Sequence, residues 1–176
     1  MEIIEPFKML IETLLENKLV WVLIAILLIS YVLKIVRFFI ERNKNYELKE
    51  IDLMSGQDFE YCFANILRKS DYKKVKVTQY QGYQGIDILA SKDSRNIGYQ
   101  CKRYKKNVGN KAVQEAHAGK SYYGLDEVYV VTNSYFTKPA IELANKTGVI
   151  LLNRDDLYKM MKELKLDKSW IQPIKS

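Results

Sequence analysis

From Leu19 to Leu33 the chain runs for fifteen residues without a charge, and only Lys34 and Arg37 interrupt the apolar sequence before Ile40. Fifteen residues are short for a bilayer. Lys34 and Arg37 lie near one end, however, where long cationic side chains bury their stems and lift the charge to the interface. Leu19 to Ile40 then supplies the roughly 20 residues that a membrane-crossing helix needs. Trp21 and Tyr31 sit towards its two ends, as interfacial aromatics do. A cleaved signal peptide is disfavoured, because Met1 to Lys18 holds four acids against two bases and no small-residue cleavage pattern follows the run.

Basic residues fix the expected orientation. Lys34, Arg37, Arg42, Lys44 and Lys49 lie at the C-terminal end of the span or beyond it, against only Lys18 and the more distant Lys8 before it, which places the following residues in the cytoplasm. Four segments result: 1–18, an amphipathic stretch; 19–40, a transmembrane helix; 41–52, a polar connector or a helical continuation of the span; and 53–176, a soluble domain. In the first, Ile3, Ile4, Phe7, Leu10, Ile11, Leu14 and Leu15 recur at helical spacing. That face suits either the lipid interface or copies of itself. A homo-oligomer would form through residues 1–40 or through the soluble domain.

The net charge of +7 belongs wholly to the soluble part, since residues 1–40 hold four bases and four acids. Such an excess serves anionic lipid or nucleic acid. Cys62 and Cys101 form no CxxC pair and have no metal-ligand spacing, which fits a reducing compartment and two core thiols.

Ser55-Gly56-Gln57-Asp58 has the form of a capping box, so a helix is expected from Ser55, burying Phe59, Cys62, Phe63, Ile66 and Leu67. A strand follows near Lys74–Tyr80, then a glycine-rich turn, Gln81 to Gly85. Strands at Ile86–Ser91 and Ile97–Tyr104 flank the polar stretch Lys92 to Asn96 and predict a hairpin. Helix Asn110–Tyr123, strand Glu127–Thr132, a helix capped by Thr137 and running to about Lys146, strand Val149–Leu152 and helix Asp155–Leu164 complete the order. A hairpin feeding helical crossovers implies an α/β fold, a mixed sheet with helices on its faces.

With the hairpin centred on Asp93 and Ser94, Asp87 falls opposite Gln100 and Gly85 opposite Lys102. Alternation puts Gln100 and Lys102 on one face and Ile86, Ile88, Tyr99 and Cys101 on the other. Gly85 and Gly98 then leave space for a ligand. Hydrolysis of a phosphodiester with a divalent ion needs hard oxygen ligands, a group to orient the water, and positive charge for the developing phosphorane. Asp87 supplies a ligand, the Gln100 side-chain oxygen and the Cys101 main-chain carbonyl supply others, and Lys102 holds the water and neutralises charge.

Gly85-Ile86-Asp87-Ile88 followed by Tyr99-Gln100-Cys101-Lys102-Arg103-Tyr104 resembles the PD-(D/E)XK nuclease core in its Mrr-type form, in which the second acidic position is commonly glutamine. Ser55-Gly56 with Phe59-Glu60, Val113-Gln114, and Val130-Val131-Thr132-Asn133 with Phe136 and Ala140 resemble its flanking segments, so the likeness runs from about Leu53 to Leu157. It implies a restriction-endonuclease-like mixed sheet flanked by helices, here preceded by the one transmembrane helix read from the apolar run. It further implies DNA as substrate and Mg2+ or Mn2+ as cofactor. The family often carries an acid on its first helix. Glu60, about 100° from Phe59 and 20° from Leu67 on the helical wheel, has that place, and a supporting metal role is expected of it.

Lys102, Arg103, Lys105, Lys106 and Lys111 form a basic run around Tyr104 suited to DNA phosphates; Arg68, Lys69, Lys73, Lys74 and Lys76 form a second. One histidine, His117, does not make a histidine-metal nuclease. The expected function is a metal-dependent endonuclease tethered to the inner membrane with its catalytic domain in the cytoplasm, acting in restriction or defence against foreign DNA. The alternative is a nuclease-derived DNA-binding or sensor module that cuts poorly and acts through a membrane oligomer.

Overall fold

The computed structural model describes Lys8 and residues 17–78 and 85–164, with the side chains of 41–47 left aside. The helix expected over Met1 to Lys18 falls almost wholly outside these residues, as do the Tyr80 end of the first strand and most of the turn after it. The chain divides into two compact units, Met1–Tyr46 and Glu47–Ser176.

Helix α1, Lys18–Leu53, carries the apolar run. Its stretch Lys18–Ile40 is 23 residues long with a mean hydropathy of 2.7, long and apolar enough to cross a membrane. Leu23, Leu27, Ile29 and Phe38 are each more than half exposed among the described residues. The helix does not stop at Ile40. It continues through 41–52, and Leu48 and Ile51 in that continuation are fully buried in the core of the second unit.

Helix α2, Gly56–Lys69, begins at the expected cap: Ser55 Oγ accepts from the Asp58 amide. Asp58 departs from a reciprocal box, because its carboxylate takes the serine hydroxyl at 2.7 Å. The five expected apolar residues are buried, and Ala64 with them. Strand β1 is Lys73–Val77, β2 Ile88–Lys92 and β3 Arg95–Lys102. The β2–β3 turn is tighter than expected. Asp93 and Ser94, both at positive φ, are its two residues, as a primed two-residue hairpin requires. Helix α3 is Asn110–Tyr123, β4 Glu127–Thr132, α4 Lys138–Thr147, β5 Ile150–Leu152 and α5 Arg154–Glu163. Thr137 caps α4, and Asn153 with Asp156 forms a full capping box on α5.

The sheet order is β1-β2-β3-β4-β5, antiparallel from β1 to β3 and parallel from β3 to β5. This is the expected mixed, restriction-endonuclease-like sheet with helices on both faces. On one face Ile88, Ala90, Ile97, Tyr99, Cys101 and Val131 pack with Leu48 and Ile51 of α1, the apolar side of α2, and Leu157 and Met161 of α5. On the other, Val128 and Val130 pack with Ala112, Val113 and Ala116 of α3 and Ala140 and Ala144 of α4.

Ile86 departs from expectation. It packs with the α3 and α4 cluster rather than with Ile88 and Tyr99. The β2 ladder begins only at Ile88, and Gly85 stands at φ +76, so strict alternation does not reach back to Ile86.

Candidate active site

Asp87 is held between β3 and the residue that follows β1. Its amide donates to the Tyr99 carbonyl at 2.8 Å, and its own carbonyl accepts from the Thr78 amide at 2.9 Å. The hairpin register pairs Ile88 with Tyr99 and Leu89 with Gly98, the register expected from the sequence. One step further on, Asp87 and Gln100 meet through their side chains. Gln100 Nε2 and the Cys101 amide both donate to Asp87 Oδ2, each at 2.6 Å.

Gln100 is 4% exposed, and its Oε1 is buried with no hydrogen-bond partner. An acceptor left unmet in this way costs about 1–3 kcal/mol. Burial raises the Asp87 carboxyl above its usual range; the Cys101 amide and Lys102 oppose the rise, while Glu115 adds to it. Glu60, on α2, stands within the electrostatic reach of both Asp87 and Lys102. Burial pushes its carboxyl up to about 7, with Asp87 adding to the shift and Lys102 opposing it.

Lys102 Nζ lies 2.8 Å from Glu115 Oε2. Glu115 belongs to the central turns of α3 and was not singled out in the sequence. Its signal there was weak, an acid beside the Val113 and Ala116 face whose reach depends on how α3 packs against the sheet. Among the described residues, no three His, Cys, Asp or Glu side chains gather closely enough to hold a metal ion. A cation here would draw on Gln100 and main-chain oxygen as well as on acids.

The two glycines do not leave ligand space. A Cβ on Gly85 would lie 2.2 Å from the Glu115 carbonyl oxygen, and one on Gly98 would lie 2.4 Å from a Leu125 methyl. Each admits a neighbouring part of the protein instead. The Cys101 thiol is raised well above its usual range by burial, and burial pushes Cys62 up to about 12; both are core thiols.

Of the first basic run, Lys105, Lys106 and Lys111 are exposed. Arg103 turns inward, donating to the Asp52 carbonyl at 3.4 Å. Arg68, Lys69, Lys73, Lys74 and Lys76 all face solvent, and so does His117.

The Mrr_cat family model, described as restriction endonuclease, matches residues 51–161. The chain belongs to this family. Asp87, Gln100, Cys101, Lys102, Glu60 and Glu115 all lie within the matched residues. No curated protein matches the chain. A solved structure described as a protein of unknown function, AF1548, is similar in fold at a TM-score of 0.57 and 19% identity, over 69% of this chain and 73% of that one. The DNA modification-dependent restriction endonuclease AspBHI is similar at 0.56 and 16% identity, over 73% of this chain. The likeness spans 37% of AspBHI, little more than a third of its length. At these identities both comparisons speak to fold alone.

Proposed function

We propose that the chain is a membrane-anchored endonuclease that hydrolyses DNA phosphodiester bonds with a divalent metal ion, magnesium or manganese. The observation that carries this reading is the meeting of Asp87, Gln100 and Lys102 at one end of the β2–β3 hairpin, with Gln100 Oε1 buried and unmet beside the Asp87 carboxylate. Family membership supports the reaction class.

The donor set fits a hard cation, because an oxygen acceptor without a donor beside a carboxylate is what such an ion satisfies. Asp87 would hold it, with the Gln100 side-chain oxygen and the Cys101 carbonyl as further ligands and Glu60 in support. When bound, the ion polarises the phosphoryl oxygen and makes a nucleophile of water near neutral pH. Lys102 orients the attacking water and offsets the charge that builds on phosphorus. Glu60, its carboxyl pushed up to about 7, would support the ion once deprotonated. Lys105, Lys106 and Lys111 hold the duplex by its phosphates, which positions DNA without reading sequence.

The apolar stretch Lys18–Ile40 supports a single-pass anchor, and the basic residues around its C-terminal end support an inner-membrane location with the nuclease domain in the cytoplasm. Restriction of foreign DNA at the envelope is the role such a tether suits. The test is supercoiled plasmid incubated with the full-length chain in detergent, with magnesium, with manganese and with chelator. Nicked and linear products that depend on the ion support the reading. Intact plasmid in all three, with folded protein that still binds DNA, would favour the binding-module alternative.

A further inference from the structure

Lysine is a poor instrument for placing a charge. Its four-carbon stem is flexible, and holding it in one geometry costs side-chain entropy. In this site the ammonium group of Lys102 is already held. Its partner is Glu115 on α3, 2.8 Å away, rather than the neighbouring Asp87. The Lys102 side chain is 20% exposed and that of Glu115 31%, so the pair is largely out of water, where an ion pair is worth more than on an open surface.

The place of Glu115 is itself fixed. Gly85, two residues before Asp87, packs so closely on the Glu115 main chain that any side chain there would overlap it. The segment leading into Asp87 and the α3 turn carrying Glu115 are therefore held against each other. The second oxygen of Glu115 faces Lys111 Nζ at 3.9 Å, but Lys111 is 88% exposed and competes weakly for the carboxylate.

We propose that Glu115 is the positioning residue for Lys102, holding its ammonium group at the end of β3 so that water and phosphate meet a charge already in place. This rests on the nuclease reading above. Misplacement of a charge-stabilising group costs rate rather than substrate affinity, because its contribution is made where charge develops.

The experiment uses the full-length chain in detergent, as wild type, Glu115→Ala, Glu115→Asp, Lys102→Ala and the double variant Glu115→Ala with Lys102→Ala. One readout needs no cleavage: acetylation of each lysine by an amine reagent, followed peptide by peptide with mass spectrometry. Glu115→Ala should speed labelling of Lys102 and leave that of Lys69 and Lys146 alone. The second readout is single-turnover plasmid cleavage at saturating DNA, with DNA affinity measured beside it. Glu115→Ala should slow cleavage about tenfold or more at nearly unchanged affinity, and Glu115→Asp should recover part of the loss. Added to Lys102→Ala, Glu115→Ala should cost nothing further. Unchanged labelling overturns the ion pair; wild-type cleavage by Glu115→Ala, or a loss that multiplies with that of Lys102→Ala, overturns the positioning role. A wild-type chain that labels as expected and never cuts overturns the nuclease reading and leaves Glu115 a structural partner only.

Discussion

The Asp52 carboxylate and the Arg154 guanidinium meet as a two-pronged ion pair, Oδ1 to Nη1 at 2.7 Å and Oδ2 to Nη2 at 2.9 Å, joining the last turn of α1 to the first residue of α5. Asn133 binds both, donating to Asp52 Oδ1 at 2.8 Å and accepting from Arg154 through its carbonyl. Its side-chain oxygen in turn accepts from the Tyr104 amide, while Thr132 Oγ1 donates to the Lys102 carbonyl. The main chain around Lys102 is thus tied to the end of the apolar helix.

Asp52→Ala should therefore lower stability by about 1–2 kcal/mol, since it takes both carboxylate contacts from the mostly buried Arg154, which keeps the Asn133 carbonyl, while Asp52 itself is partly solvated. Removing the whole turn should be worse. Leu48 and Ile51 are both fully buried, and losing two such side chains costs about 1.5–3 kcal/mol each. A fragment beginning at Glu47 should unfold cooperatively, and one beginning at Met54 should be far less stable. Equal denaturation midpoints for the two fragments would show that α1 contributes nothing to the core.

Asp87 accepts two hydrogen bonds, one of them from a main-chain amide, so its substitutions separate chemistry from folding. Asp87→Asn keeps an oxygen for the Cys101 amide and should fold normally. Asp87→Ala leaves both donors unmet and should lose about 1–3 kcal/mol. Both should cut DNA about 10²-fold or more slower, because the metal-binding charge is gone in each. Thermal melts beside plasmid cleavage check this, and wild-type cutting by Asp87→Asn would remove Asp87 from the site.

The Glu60 carboxyl, raised from 4.5 to about 7, gives the metal-free protein a pH dependence whose sign is fixed. Between those values the folded chain holds a proton that the unfolded chain has lost. Stability from this group is complete below about pH 4.5 and is lost as pH rises through about 7. Asp87, also raised, acts in the same direction. In chelator, Glu60→Gln should flatten this decline and be more stable than wild type above about pH 7. Added magnesium should stabilise the wild type more above that pH than below it, because ion and proton compete for the same oxygens. Parallel pH curves for Glu60→Gln and wild type would place Glu60 in solvent.

The hairpin was legible because Lys92 to Asn96 is polar and turn-forming between two strand-like stretches, and because cross-strand pairing is arithmetic once the turn is located. Asp87, Gln100 and Lys102 followed from it. Glu115 did not, because its approach to Lys102 is set by α3 packing on the sheet, and a helix brings residues to a site from a distance in sequence that no local spacing encodes. Gly85 was misread for the same reason: the space beside it is filled by that same helix turn. Asp52, Asn133 and Arg154 were equally hidden, three polar residues separated by 81 and 102 positions from first to second and first to third.

The proposed membrane anchor predicts a topology. If Lys18–Ile40 crosses a bilayer once, residues 41–176 lie on one side of it. Lys34, Arg37, Arg42, Lys44 and Lys49 cluster at the C-terminal end of the run or just beyond it, and such residues are retained on the cytoplasmic side during insertion. Buried thiols at Cys62 and Cys101 suit the reducing conditions there. Protease added outside spheroplasts should spare the domain, and it should be digested once the membrane is opened with detergent. A reporter fused after Ser176 should work only if it is active in the cytoplasm. Replacing Lys34, Arg37, Arg42, Lys44 and Lys49 with glutamine should weaken this bias and send part of the population across in the opposite sense. Strong alkaline phosphatase activity from a fusion at Ser176 in the unmutated chain would place the domain outside, away from chromosomal DNA, and would overturn the proposed role at the inner face of the membrane.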